Sequence, residues 1–124
     1  MNIPSDLLYT KDHEWIKIEN GIATVGITDY AQGELGDIIF IELPEIGDSV
    51  QAEDSIGTIE AVKTVADIYS PMNGEISEVN LNLEDNPDRL NTDPYDSGWI
   101  IKLNNFTNND DNYLTPDQYK SLIQ

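Results

Sequence analysis

The chain has 124 residues and no cysteine, and its 24 acidic side chains against 6 basic ones give a formal net charge of −18. That length fits one domain around one modest core, and the charge repels phosphate backbones and anionic lipid, which excludes nucleic acid and membrane surfaces as expected partners. Without cysteine there are no disulfides, thiolate metal sites or cysteine nucleophiles, so any redox chemistry has to come from an added group.

Val, Ile, Leu, Tyr and Trp recur along the chain, as a folded protein requires. The start MNIPSDLLYTKDHEW has neither a basic segment ahead of an apolar core nor an Arg-rich presequence, and no apolar run reaches membrane-spanning length. A cytoplasmic protein is the expectation, and the charge favours a soluble monomer.

From Glu14 to Ile27, two short alternating runs flank Asn20-Gly21, a pair that tolerates the positive φ of a type I′ turn, so a hairpin is predicted. Thr28 to Gly36 reads as a short helix with Thr28 as N-cap and Gly36 as stop. The continuous β-branched run from Asp37 to Leu43 suggests a central strand covered on both faces. Ser49 to Ala52, Ser55 to Val62, Thr64 to Ser70 and Glu75 to Asn80 read as four strands separated by acidic, Gly or Pro breaks, a rhythm typical of barrels and sandwiches. Leu83 to Gly98 is turn-rich and leads into a strand from Trp99 to Leu103, after which Asn108 to Asn112 reads as a mobile loop. Thr115, Pro116 and Gln118 form a capping box at the start of a C-terminal helix over about residues 115–123, with Leu114 and Tyr119 as its hydrophobic staple.

Few residues offer chemistry. His13, the only histidine, stands beside Asp12 and Glu14, but no G-x-S-x-G or oxyanion-forming motif accompanies it, so a structural or surface histidine is expected. Asp85, Asn86, Asp88, Asn91 and Asp93 invite a calcium hypothesis, yet the spacing departs from the EF-hand loop and Pro87 and Pro94 favour turns, so no metal is expected. Lys63 differs from both. If the segments on either side of it pair, it stands at the tip of a hairpin spanning about residues 55–70, where a second enzyme can acylate its amine and make it a tether. An edge-protecting lysine is the plainer alternative on spacing alone.

The blocks GDSV (Gly47 to Val50), GTIEAVK (Gly57 to Lys63) and SPMNGEISEVN (Ser70 to Asn80) resemble the lipoyl-carrier family, in particular the H proteins of the glycine cleavage system. HEW at His13 to Trp15, VGITDYAQGELGDI at Val25 to Ile38, ELP at Glu42 to Pro44, NTDPYDSGW at Asn91 to Trp99 and LTPDQY at Leu114 to Tyr119 extend the resemblance over nearly the whole chain. Ala61 stands where the family usually has serine, and Asp96 where it usually has glycine.

The resemblance implies a single lipoyl-carrier domain over residues 1–124, mostly β, a flattened barrel-sandwich hybrid of short antiparallel strands with small helices. It implies a carrier without turnover of its own, with lipoate attached covalently to Lys63. The arm would take an aminomethyl group from a pyridoxal-phosphate glycine decarboxylase, pass its carbon to tetrahydrofolate on an aminomethyltransferase, and be reoxidised by dihydrolipoyl dehydrogenase. A lipoyl or octanoyl transferase or ligase would install it. Glu14 and Asp67 match the cleft that receives the loaded arm, where a carboxylate can hold a protonated amine by a charge-assisted hydrogen bond. Glu60 and Val62 lie just ahead of Lys63, and Gly74 with Pro71 shapes a strand crossing, so these residues are expected to present the lysine. Trp15 and Trp99 are expected to pack. A lipoyl relay to other enzymes and an unmodified acidic binding module remain as alternatives; a biotin carrier is disfavoured because no paired methionines flank Lys63.

Overall fold

The computed structural model describes residues 2–107 and 113–124. The run Asn108 to Asn112, expected to be a mobile loop, lies outside the described residues. In chain order the elements are β1 (Leu8–Tyr9), β2 (Glu14–Glu19), β3 (Ile22–Ile27), α1 (Asp29–Leu35), β4 (Ile38–Glu42), β5 (Ser49–Val50), β6 (Ser55–Ala61), β7 (Val65–Tyr69), β8 (Gly74–Val79), α2 (Asn82–Asp85), α3 (Arg89–Thr92), β9 (Ile101–Asn104) and α4 (Pro116–Ile123).

The strands form two antiparallel sheets, one of six in the order β1-β2-β3-β9-β8-β5 and one of three in the order β4-β6-β7. Neither closes on itself, so the architecture is a flattened, open barrel-sandwich. Inward residues of both sheets meet in one core: Ile16, Val25, Ile76 and Ile101 from the larger sheet face Ile41, Ile59 and Ile68 from the smaller. Period-two alternation is what commits these residues to the interior and turns Lys17, Glu60 and Asp67 outward.

Local signals set several boundaries. Asn20 and Gly21 take φ of 52° and 77°, the left-handed pair a type I′ turn needs, and close β2 onto β3. Thr28 accepts the Ala31 amide as N-cap of α1, and Gly36 ends the helix at φ 79°. In α4 the capping box is complete, with Gln118 N–H donating to Thr115 Oγ1 at 3.2 Å and Thr115 N–H donating to Gln118 Oε1 at 2.9 Å.

Helix α4 packs on the outside of the larger sheet. There Tyr119 stacks on Tyr9 with ring centroids 4.8 Å apart, in a second cluster with Leu7 and Trp15. Trp15 lies flat over Gly26, where a Cβ would come within 2.6 Å of the indole, so only glycine fits opposite it.

One expectation is overturned. β4 was expected to be central and covered on both faces; among the described residues it is an edge strand that pairs only with β6, and its Ile39 and Phe40 are 56% and 49% exposed. A register shift between Ile38 and Phe40 turns both residues outward, and a continuous apolar run cannot by itself distinguish a doubly covered strand from one with an open apolar face. Smaller differences follow from short elements. β1 had no sequence signal beyond two residues, β9 starts at Ile101 rather than Trp99, and the turn-rich segment before it contains the single turns α2 and α3.

Candidate functional site

β6 and β7 pair antiparallel down to Glu60↔Val65, and the Ala61 N–H donates to the Thr64 carbonyl at 2.8 Å, leaving Val62 and Lys63 as the tip. Neither tip residue has a positive φ, which suits a β-branched valine. Such a turn matches strand twist less well than a primed turn does, so the tip gains from outside support. The support is visible: the Val62 N–H donates to the Asp37 carbonyl at 3.0 Å, tying the hairpin to the turn between α1 and β4.

That turn is itself clamped by Asn91 of α3. The Asn91 side-chain amide donates to the Gly36 carbonyl at 2.8 Å and to Gln32 Oε1 at 3.0 Å, while its oxygen accepts the Ile38 amide at 3.0 Å. Asn91 was weighed above only as a metal ligand. Its role is to hold the platform on which the lysine hairpin leans, and its place at the head of the NTDPYDSGW block was the one available signal. Among the described residues no group of three or more His, Asp or Glu is arranged to hold a metal ion.

Lys63 is exposed, between Val62 at 72% and Val65 at 61% exposure. Its side chain lies along Gly36, where a Cβ would meet Cε at 3.3 Å and Nζ at 3.7 Å. Among the described residues Lys63 forms no ion pair, so its amine is open to an incoming enzyme.

Glu14 and Asp67 have different settings. Asp67 is exposed on the outer face of the smaller sheet, opposite Thr58. Glu14 is only 3% exposed and accepts a hydrogen bond from Thr10 Oγ1 at 2.8 Å. Burial pushes its carboxyl up to about 7; the Thr10 hydroxyl and the Tyr69 backbone N–H partly oppose the shift, and Asp12 and Glu53 reinforce it. It borders a cavity of about 470 Å³ together with Thr10, Asp12, Glu53 and Pro71, a lining that does not include Asp67. A buried carboxyl poised between its two states is chemically suited to receive a protonated amine.

Next to it, His13 adopts φ 67° and places Nδ1 2.9 Å from the Tyr119 hydroxyl, which also lies 2.7 Å from Thr28 Oγ1. Burial lowers the His13 pKa. The His13 carbonyl also accepts the Thr28 amide at 3.0 Å, so the histidine links α4 to the N-cap of α1. Gly74 begins β8, beyond the far end of β7 from Lys63, where the chain passes from the smaller sheet to the larger; a Cβ on it would press to 3.2 Å against the Asn104 carbonyl and Phe106.

Comparison with known proteins extends this picture. The family model described as Glycine cleavage H-protein matches residues 7–124. The glycine cleavage system H protein of Rubrobacter xylanophilus is 53% identical over 122 residues, covering 98% of this chain and 95% of that protein. That of Listeria monocytogenes is 51% identical over 124 residues, covering 99% of each. The crystal structure of a glycine cleavage system H protein from Mycobacterium marinum superposes with a TM-score of 0.88 at 40% identity, over 96% of this chain and 97% of that one. A match that runs from residue 7 to the last, on a fold shared almost end to end, makes this chain a member of the glycine cleavage H-protein family, the lipoylated carriers of the glycine cleavage system.

Proposed function

We propose that Lys63 is the residue to which lipoate is attached, and that residues 1–124 act as one non-catalytic carrier domain in the cytoplasm. The observation that carries this reading is the exposed Lys63, without an ion pair among the described residues, at the two-residue tip of a hairpin braced through Asp37. In the modification, the neutral Nζ attacks the carbonyl carbon of an activated lipoyl or octanoyl donor. An amide N–C bond forms, the bond from that carbon to an adenylate or thiol leaving group breaks, and the amine gives up a proton. Once attached, lipoate supplies the disulfide and dithiol chemistry that a cysteine-free chain lacks.

The chain's own residues position and protect. Glu60 and Val62 set the hairpin tip, and Gly74 supports the strand crossing behind it. Glu14, with Asp67 as the outer member of the pair, holds the protonated amine carried by the arm, away from bulk water. The partners are glycine decarboxylase, the aminomethyltransferase, dihydrolipoyl dehydrogenase and the transferase or ligase that acylates Lys63. The protein works as a monomer whose negative surface meets basic rims on these enzymes.

The test is an intact mass of the protein from its own host, with fragmentation to locate the adduct. A lipoyl mass on Lys63 that disappears in Lys63→Arg is the expected result; a biotinyl mass, or an unmodified Lys63 in a host that lipoylates other proteins, would overturn it. For the cleft, Glu14→Ala should leave acylation intact but shorten the lifetime of the amine-loaded carrier, read by release of formaldehyde and ammonia.

A further inference from the structure

The outer face of the smaller sheet has a pattern that the carrier role alone does not explain. Register aligns Phe40, Glu60 and Val65 in one row across β4, β6 and β7, and Glu42, Thr58 and Asp67 in the next row away from the tip. Period two puts both rows on the same outward face. The row beside Lys63 is mostly apolar; together with Ile39 and Val62 it exposes four large hydrophobic side chains, at 56% for Ile39, 49% for Phe40, 72% for Val62 and 61% for Val65. The next row is polar and acidic. In a chain this charged, apolar groups gathered around one lysine mark a contact surface rather than scattered exposure.

We infer that this face, Ile39, Phe40, Val62 and Val65 bordered by Glu60, Glu42 and Asp67, is the docking surface for the enzyme that acylates Lys63, and that the enzyme meets it with an apolar floor rimmed by Lys and Arg. The inference rests on Lys63 being the acylated residue. The occupant follows from reach. A lysine amine stands only about 6 Å from its Cα, so an enzyme that bonds to Nζ has to cover the hairpin tip and the strands beside it, which lie about 4.8 Å apart. It also has to lift the side chain from Gly36, against which it rests. Enzymes that act on the distal end of an attached arm work on the order of 10 Å farther out and need not cover this face. Charge complementarity supplies the rim, because carboxylates at Glu42, Glu60 and Asp67 favour a basic border.

The experiment uses the full-length unmodified chain with a purified lipoate–protein ligase, lipoate and ATP, comparing wild type, Phe40→Ser, Val65→Ser and, as a control on an exposed apolar residue elsewhere, Ile46→Ser. All three sites are largely solvent-exposed, and the melting temperature of each variant verifies folding. Phe40→Ser and Val65→Ser should each raise the KM for the carrier by about tenfold with kcat little changed, as loss of an apolar anchor does; Ile46→Ser should leave it unchanged. Once acylated, both variants should support glycine decarboxylase at the wild-type rate. An unchanged KM in both overturns the inference. So does an equal loss in the decarboxylase reaction, which would make the face a landing surface common to all partners. If the wild-type chain takes no acyl group at Lys63, both the inference and the attachment site fall, and that result appears before any variant is compared.

Discussion

The Asn91 side-chain amide donates to the Gly36 carbonyl at 2.8 Å, and Gly36 is the residue along which the Lys63 side chain lies. A residue 28 positions downstream of Lys63 therefore positions the platform beneath it, through the turn whose Asp37 carbonyl receives the Val62 amide. Asn91→Ala removes three hydrogen bonds and should cost about 2 to 3 kcal/mol. Urea unfolding measures the loss, and hydrogen exchange at the Val62 amide should accelerate with it. Unchanged exchange at Val62 would mean that the hairpin holds its shape unaided.

Gly36→Ala combines two penalties. Gly36 sits at φ 79° and ψ −155°, a region that side chains avoid, and the added Cβ would meet Lys63 Cε at 3.3 Å. The strain should cost about 1 to 3 kcal/mol. Gly33→Ala, inside the same helix with open space around its Cα, should instead stabilise by up to about 1 kcal/mol. Thermal unfolding of the two variants should therefore shift in opposite directions.

The buried Glu14 carboxyl makes stability depend on pH. Its ordinary value of 4.5 applies to the unfolded chain, and burial raises it to about 7 in the folded protein. Below the unfolded value both states hold the proton; between the two values the folded protein keeps a proton that the unfolded chain releases. Stability from this group is therefore fully present below pH 4.5 and is lost as pH rises through about 7. The loss is about 3 kcal/mol by linkage. Glu14→Gln should lack it, so the difference in urea-unfolding free energy between wild type and variant should move by that amount between acid and mildly alkaline pH. Parallel profiles would remove the account.

Tyr119 joins α4 to the rest of the fold. Its hydroxyl, 2.7 Å from Thr28 Oγ1 and 2.9 Å from His13 Nδ1, is pushed up to about 12 chiefly by burial and so stays protonated at working pH. Tyr119→Phe keeps the ring stack on Tyr9 but leaves both partners short of a bond, at a cost of about 1 to 2 kcal/mol. Proteolysis of the C-terminal segment should quicken accordingly.

The net charge of −18 sets a salt response. If basic rims on partner enzymes meet this surface, raising ionic strength shortens the Debye length to below about 8 Å and weakens the encounter. The KM for the carrier in the decarboxylase reaction should then rise with salt while kcat holds. A flat response would reduce the charge to a solubility device.

The sequence by itself determined the local structure and pointed to the lysine. Asn20-Gly21 closes a hairpin because both residues tolerate positive φ, Thr28 and Thr115 start helices because their hydroxyls satisfy free amides, and alternation decides which side chains face the core. Block by block, the same residues carried the family likeness. Only the tertiary structure decided what depends on distant partners. β4 reads as a buried strand, yet its edge position and register shift leave Ile39 and Phe40 in the open. Glu14 and Asp67 are both acids on strands, yet packing buries one and raises its pKa while the other remains on the surface. Asn91 becomes the clamp under Lys63 only when α3 folds against α1. Periodicity and capping act through near neighbours in the chain, whereas burial, register and clamping arise between segments that only the fold brings together.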